Sequence, residues 1–195
     1  MSGSALEEGW TWSDGRLPEP AAGRGRFVVT AAAGADLYHI PGVREIDRLP
    51  SLGRDFTDDF TLSVRAEVRD AGGGRFADAG GIVLHTAAGW AKFCVERSPT
   101  GAWTLVTVVS QPCSDEAAGP SLDGPRARLT VVREGPRVTF LHAAGQEAEP
   151  RFLRTFTMPA GALRVGLFAQ APFSPSCTAV FDHLHHDPEP LRDRR

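Results

Sequence analysis

FTLSVRAEVR, residues 60–69, puts Phe60, Leu62, Val64, Ala66 and Val68 on one side and Thr61, Ser63, Arg65 and Glu67 on the other. Side chains alternate with period two along an extended chain, so this reads as a β-strand with one buried face. The same grammar recurs outward from it, with candidate strands at 8–12, 26–32, 79–86, 90–97, 103–110, 126–133, 137–142, 151–156, 163–170 and 177–186. Between them stand turn formers: Gly72-Gly73-Gly74, Ala87-Ala88-Gly89, Pro99-Thr100-Gly101, Gly135-Pro136 and Pro159-Ala160-Gly161. No helical stretch is long enough to cross over between parallel strands, so the sheets are expected to be antiparallel. The reading is an all-β sandwich of two antiparallel sheets, of jelly-roll type, with Phe60, Leu62, Val64, Phe93, Val95, Leu129, Val131 and Leu167 inside.

A chain of 195 residues suits one such domain, here 1–195, with an ordered core over about 8–187 and a charged tail, 188–195, that frays or drapes over the surface. A domain of this size buries roughly 70% of its unfolded surface and needs neither metal nor disulfide for stability. The formal net charge is −3 and the arginines are scattered, which disfavours a nucleic-acid partner. No run approaches about 18 apolar residues and the start, MSGSALEEGW, lacks a signal-peptide pattern, so no membrane contact and a cytoplasmic location are expected. Cys94, Cys113 and Cys177 are an odd number without CxxC spacing and read as reduced thiols. No cofactor is expected.

Asparagine is absent, Tyr38 is the single tyrosine, and Lys92 is the single lysine among many arginines. That bias follows a GC-rich genome, and against it a lysine in mid-strand stands out. In 90–97 the alternation sets Ala91, Phe93 and Val95 on one face and Trp90, Lys92, Cys94 and Glu96 on the other. The second face would look into the concave side of a sheet, where an ammonium acts as the compact point charge that arginine does not imitate. If Lys92 serves a ligand it carries a stability cost, so Lys92→Met is expected to leave stability within about 1 kcal/mol or to raise it.

The segments WTW (10–12), FVVTAAAGADLYHIPG (27–42), DDFTLSVRAEV (58–68), GIVLHTAAGWAKFCVERSP (81–99), VVSQPCSD (108–115) and VGLFAQAP (165–172) together resemble the domain of unknown function 1349 family. The chain is similar to bacterial members of that family, and the resemblance implies the fold of the concanavalin A-like lectin and glucanase superfamily, with no established reaction. Its most specific parts are Trp90, Lys92, Phe93 and Glu96 on one strand and the pair Ser114-Asp115. The chain departs from the pattern at Tyr38-His39, where many relatives carry Trp or Phe and Asp, and at Ala117-Ala118, where many carry an Asn.

The leading expectation is a non-catalytic domain binding a sugar or carbohydrate-derived small molecule on the concave sheet. Lys92 and Glu96 would orient it, Trp90 or Tyr38 would stack on it, and His85, Ser110, Ser114, Asp115 and Gln170 would complete the site. A second reading is a protein-interaction module, with a protein partner or a homodimer; the resemblance implies regulation of a metabolic enzyme for some fungal relatives. A third is a weak glycan-active hydrolase or isomerase using Glu96. Its partner acid must come from another segment, because paired carboxylates sit about 5–9.5 Å apart. Asp36, Glu67 and Asp115 are available. The superfamily's glucanase motif, E-x-D-x-x-E, begins at Glu45-Ile46-Asp47 but meets Pro50 at its last position. His183, His185 and His186 invite a metal, but alternation splits them between faces, so no metal site is expected. Cys94 reads as a buried thiol rather than a nucleophile.

Overall fold

The structure, a computed structural model, describes residues 9–15, 25–69, 74–144 and 148–194. In chain order its strands are β1 (Thr11–Trp12), β2 (Phe27–Ala32), β3 (Asp36–Ile40), β4 (Arg44–Arg48), β5 (Ser51–Phe56), β6 (Phe60–Arg69), β7 (Ala79–Thr86), β8 (Gly89–Arg97), β9 (Trp103–Ser110), β10 (Ser114–Leu122), β11 (Arg126–Glu134), β12 (Arg137–Ala143), β13 (Arg151–Thr157), β14 (Leu163–Gln170) and β15 (Ser176–Asp187). One sheet has the order β1-β5-β14-β7-β8-β9-β10, and the other β13-β12-β11-β6-β15-β2. Every pairing is antiparallel, and the described residues contain no helix. This is the all-β jelly-roll sandwich the alternation calls for.

The main core lies between the sheets. All eight residues expected inside are buried, and the inward Phe93 of β8 stacks on Phe140 of β12 at 4.9 Å between ring centroids. Gly80 faces this core so closely to Ala179 of β15 that an added Cβ would lie 2.4 Å from the alanine's own.

Four strands escape the sequence pattern. β5, SLGRDF, is broken by Gly53, whose missing side chain lets β14 approach: a Cβ there would sit 2.8 Å from Val165 O. β10, SDEAAGPSL, has no apolar row because it is the sheet's edge, and its register slips between Ala118 and Ser121 around Gly119-Pro120. Polar residues, a bulge and a proline are what an unpaired edge tolerates. β3 and β4, DLYHI and REIDR, are short and polar and pair only with each other. Part of the glycine turn at 72–74, Gly72-Gly73, lies outside the described residues.

The β3–β4 hairpin sets the stage for the site. It lies over the outer face of the seven-stranded sheet, where Leu37 and Leu49 pack with Val83, Cys94, Val106, Val108 and Phe168, and Trp90 lies against the same cluster. The sheet is therefore apolar on both faces at its centre, and Ala91 through Glu96 are all buried. Burying Leu37 and Leu49 contributes about 1.5–3 kcal/mol each, enough to hold a hairpin that has little sheet of its own. An isolated bridge between Ala35 and Ala171 and a hydrogen bond from His39 N to Ser114 Oγ, at 2.9 Å, fix its two ends.

Candidate functional site

Register decides which outward residues meet. Lys92 sits opposite Val108, and Val108 opposite Glu116, which makes one cross-strand row. Four residues further along β8 and on the same face, Gln170 faces Ala79, and Ala79 faces Glu96. These two rows floor a pocket of about 330 Å³ beside the hairpin. The hairpin supplies Asp36, Tyr38, Val43 and Arg44 to one wall, and the loops before β7 and after β14 supply Phe76, Ala77 and Phe173 to the other.

The floor is a chain of hydrogen bonds. Lys92 Nζ donates to Asp36 Oδ1 and to Gln170 Oε1, both at 2.9 Å. Gln170 Nε2 donates to Ala77 O at 2.8 Å and to Glu96 Oε2 at 3.3 Å. Asp36 also accepts the Leu37 amide at 2.8 Å and Arg44 Nη2 at 3.3 Å. Lys92, Asp36, Glu96 and Gln170 are all at most 5% exposed. Ionic groups are expensive to desolvate, and the network is what makes their burial tolerable. Burial raises the Glu96 carboxyl to about 7; Lys92 opposes the shift, and Glu116 and Asp36 add to it. Glu96 therefore exchanges a proton near neutrality. Burial, then the same carboxylate, pushes the Cys94 thiol well up, which keeps it protonated and inert.

A second network holds the rim. Ser174 Oγ donates to Asp78 Oδ2 at 2.6 Å, and the Arg75 amide donates to the same oxygen at 2.9 Å. These bonds tie the 75–78 loop to the 173–174 loop, and between them Phe76 and Phe173 stack at 5.9 Å. Arg44 lies over the Phe173 ring at 4.9 Å. Ala77 takes a left-handed φ of 65°, which aims its carbonyl at Gln170.

Of the residues that the sequence nominates, Tyr38, Lys92, Glu96 and Gln170 line this pocket. His85, Trp90, Ser110 and Ser114 form a different row, each opposite the next across β7, β8, β9 and β10. Ser114 holds the hairpin by its hydroxyl, and Ser110 Oγ donates to Pro112 O at 2.8 Å. Trp90 packs on the hairpin's apolar cluster rather than offering its face as a platform, and burial holds His85 below its usual pKa. Asp115 points to the opposite side of β10 from Glu116 and pairs with Arg154 Nη2 at 2.9 Å, clamping one sheet to the other. Of the candidate acids, Asp36 lines the pocket, whereas Glu67 lies on β6 of the other sheet beside Arg69. Glu45 faces His39 at 3.8 Å on the hairpin surface. A bulge between Asp182 and His185 interrupts the histidine run, and His186 turns in against Phe56 while His183 and His185 stay exposed.

Arg44, Phe76, Glu116 and Phe173 were not singled out by the sequence. Glu116 becomes visible only once the β9–β10 register is known. The aromatics sit in loops, where no periodicity marks them.

The sequence matches the family described as "Protein of unknown function (DUF1349)" over residues 17–189. The chain belongs to the DUF1349 family. No curated protein matches it. Among solved structures it is similar to a functionally unknown protein from Saccharomyces cerevisiae, with 19% identity and a TM-score of 0.79, covering 94% of this chain and 97% of that one. It is also similar to a bifunctional GH43-CE protein of Bacteroides eggerthii, with 17% identity and a TM-score of 0.65, covering 95% of this chain but 24% of that one. An alginate lyase from Alteromonas sp. 272 shares the fold with 10% identity and a TM-score of 0.52, covering 87% of this chain and 90% of that one. At such identities the likeness shows the fold, and the DUF1349 assignment adds no reaction.

Proposed function

We propose that the pocket beside the β3–β4 hairpin binds a sugar or a small carbohydrate-derived molecule without transforming it. The observation that carries this reading is the buried chain Asp36–Lys92–Gln170–Glu96 at the floor of a cavity whose mouth is aromatic. Fixed donors and acceptors under an apolar wall suit a ring that is polar at its edge and apolar on its face. The volume, about 330 Å³, lies at the lower end of small-molecule sites, which run about 300–1,000 Å³. Alginate lyase shares this fold, so saccharides have precedent on it.

A thermal-shift screen with monosaccharides and sugar acids tests the reading. A ligand at 100 times its dissociation constant adds about 2.7 kcal/mol. For a domain of this length that raises Tm by about 5–11 °C. Lys92→Met should abolish the shift. A panel without effect, or a shift that survives Lys92→Met unchanged, sinks the proposal.

One observation favours a protein partner instead. Val43, Phe76 and Phe173, three of the five exposed large hydrophobics among the described residues, gather at the pocket mouth. Val43→Asp separates the readings, because Val43 stands at the rim, away from the floor: it would abolish association with a protein and leave a sugar-induced shift in place.

A further inference from the structure

The charges around the pocket do not cancel one another. Both cations on its lining address one carboxylate, Lys92 at Asp36 Oδ1 (2.9 Å) and Arg44 at Asp36 Oδ2 (3.3 Å). The other two acids, Glu96 and Glu116, have no lysine, arginine or histidine within 4.0 Å among the described residues. Lys92 also gives a hydrogen bond to Gln170, so most of its donor capacity is engaged inside the protein.

Glu96 presents an open acceptor to the pocket. It is 5% exposed, its Oε2 accepts from Gln170 and lies 3.9 Å from the Cys94 thiol, and its Oε1 accepts no hydrogen bond from any described residue. An acceptor left open on a cavity wall is completed by whatever fills the cavity. Glu116 stands on the same face, one cross-strand step beyond Val108, against the Tyr38 hydroxyl. No group of three or more acidic, histidine or cysteine side chains converges closely enough to hold a metal ion among the described residues. The carboxylates are spread around a space sized for an organic molecule, and the stacked Phe76–Phe173 pair closes its side.

We propose that the ligand carries a protonated amine, of the amino-sugar class, with its ammonium set against Glu96 and Glu116 and its ring face against Phe76 and Phe173. The inference rests on the sugar-binding reading above. An ammonium brings three donors to a site whose unmet need is for donors, and its charge is further favoured beside aromatic faces. A sugar carboxylate would instead meet two acids that no cation contacts.

Calorimetric titration with glucosamine, glucose and glucuronic acid at pH 7.5 tests this. Glucosamine should bind about tenfold tighter than glucose or more, and glucuronic acid weakest. Glu116→Gln, a change on the exposed edge strand, should erase most of the preference for glucosamine over glucose, read as the ratio of the two dissociation constants. Glucose binding as tightly as glucosamine, or a preference unaltered by Glu116→Gln, overturns the amine inference and leaves the sugar site standing. Binding of none of the three overturns both.

Discussion

Replacing Glu96 by Gln isolates the cost of holding an acid in the pocket floor. In the unfolded chain this carboxyl titrates at about its ordinary 4.5, and in the folded protein burial raises it to about 7. Below 4.5 it is protonated in both states and folding is unaffected. Between 4.5 and 7 the unfolded chain releases the proton while the folded protein retains it, so stability falls as pH rises. Above 7 both forms are ionised and the loss is complete, about 3 kcal/mol at 1.36 kcal/mol per pKa unit. The Glu96→Gln variant has no such titration, and its amide oxygen still accepts from Gln170. Urea unfolding of both proteins at pH 4.5, 6, 7 and 8 reads the difference. The variant should gain about 3 kcal/mol on the wild type across that range, a relative midpoint shift of about 1–3 M urea. Parallel stability profiles would mean that Glu96 is not held out of water as described.

Lys92→Met removes the ion pair to Asp36 but leaves that carboxylate its bonds to Leu37 N and Arg44, so a loss of about 1–3 kcal/mol is expected in urea unfolding. The loss exceeds what the sequence leads one to expect because Lys92 is paired with the buried Asp36, and adding Asp36→Asn should recover part of it; a double variant no better than the single would contradict the pairing. Asp78→Ala leaves the Ser174 hydroxyl without its acceptor and the Arg75 amide with Ser174 Oγ alone, at 3.2 Å, and should lose about 1–3 kcal/mol in urea unfolding and weaken, in calorimetric titration, any ligand of the aromatic rim. Gly80→Ala drives a methyl into Ala179 and should lose about 1–3 kcal/mol by thermal melting, most of it restored by adding Ala179→Gly; failure of that rescue would place the strain elsewhere.

The sandwich was legible because β6 alternates between a buried and a half-exposed face, and β8 keeps Lys92 and Glu96 out of step with its apolar row even though both its faces are covered. Lys92 was legible for a chemical reason, a lysine kept where every other cation is arginine, and Glu96 came with it on the same side of β8. What covers them was not. The hairpin residues Asp36 and Arg44 sit in DLYHI and REIDR, which carry no period because two paired polar strands lean on the sheet only through Leu37 and Leu49. One signal was available: Val106 and Val108 in β9 and Val83 in β7 point outward yet are apolar, which means that something must lie over them. The polar floor and the aromatic rim come from segments far apart in sequence, and only their register brings them together.

The position of β15 has a consequence for synthesis. This strand lies between β6 and β2, so it divides two segments that the ribosome makes first. Residue 69 and residue 187 leave the ribosome roughly 6–24 s apart at about 5–20 residues per second. Through that interval the nascent chain holds a strand with one apolar face, Phe60–Arg69, whose β15 edge has no native neighbour available to close it. Open edges recruit other chains, so the yield of soluble protein should follow the speed of translation downstream of residue 69 and the supply of chaperones more closely than it follows the stability of the finished fold.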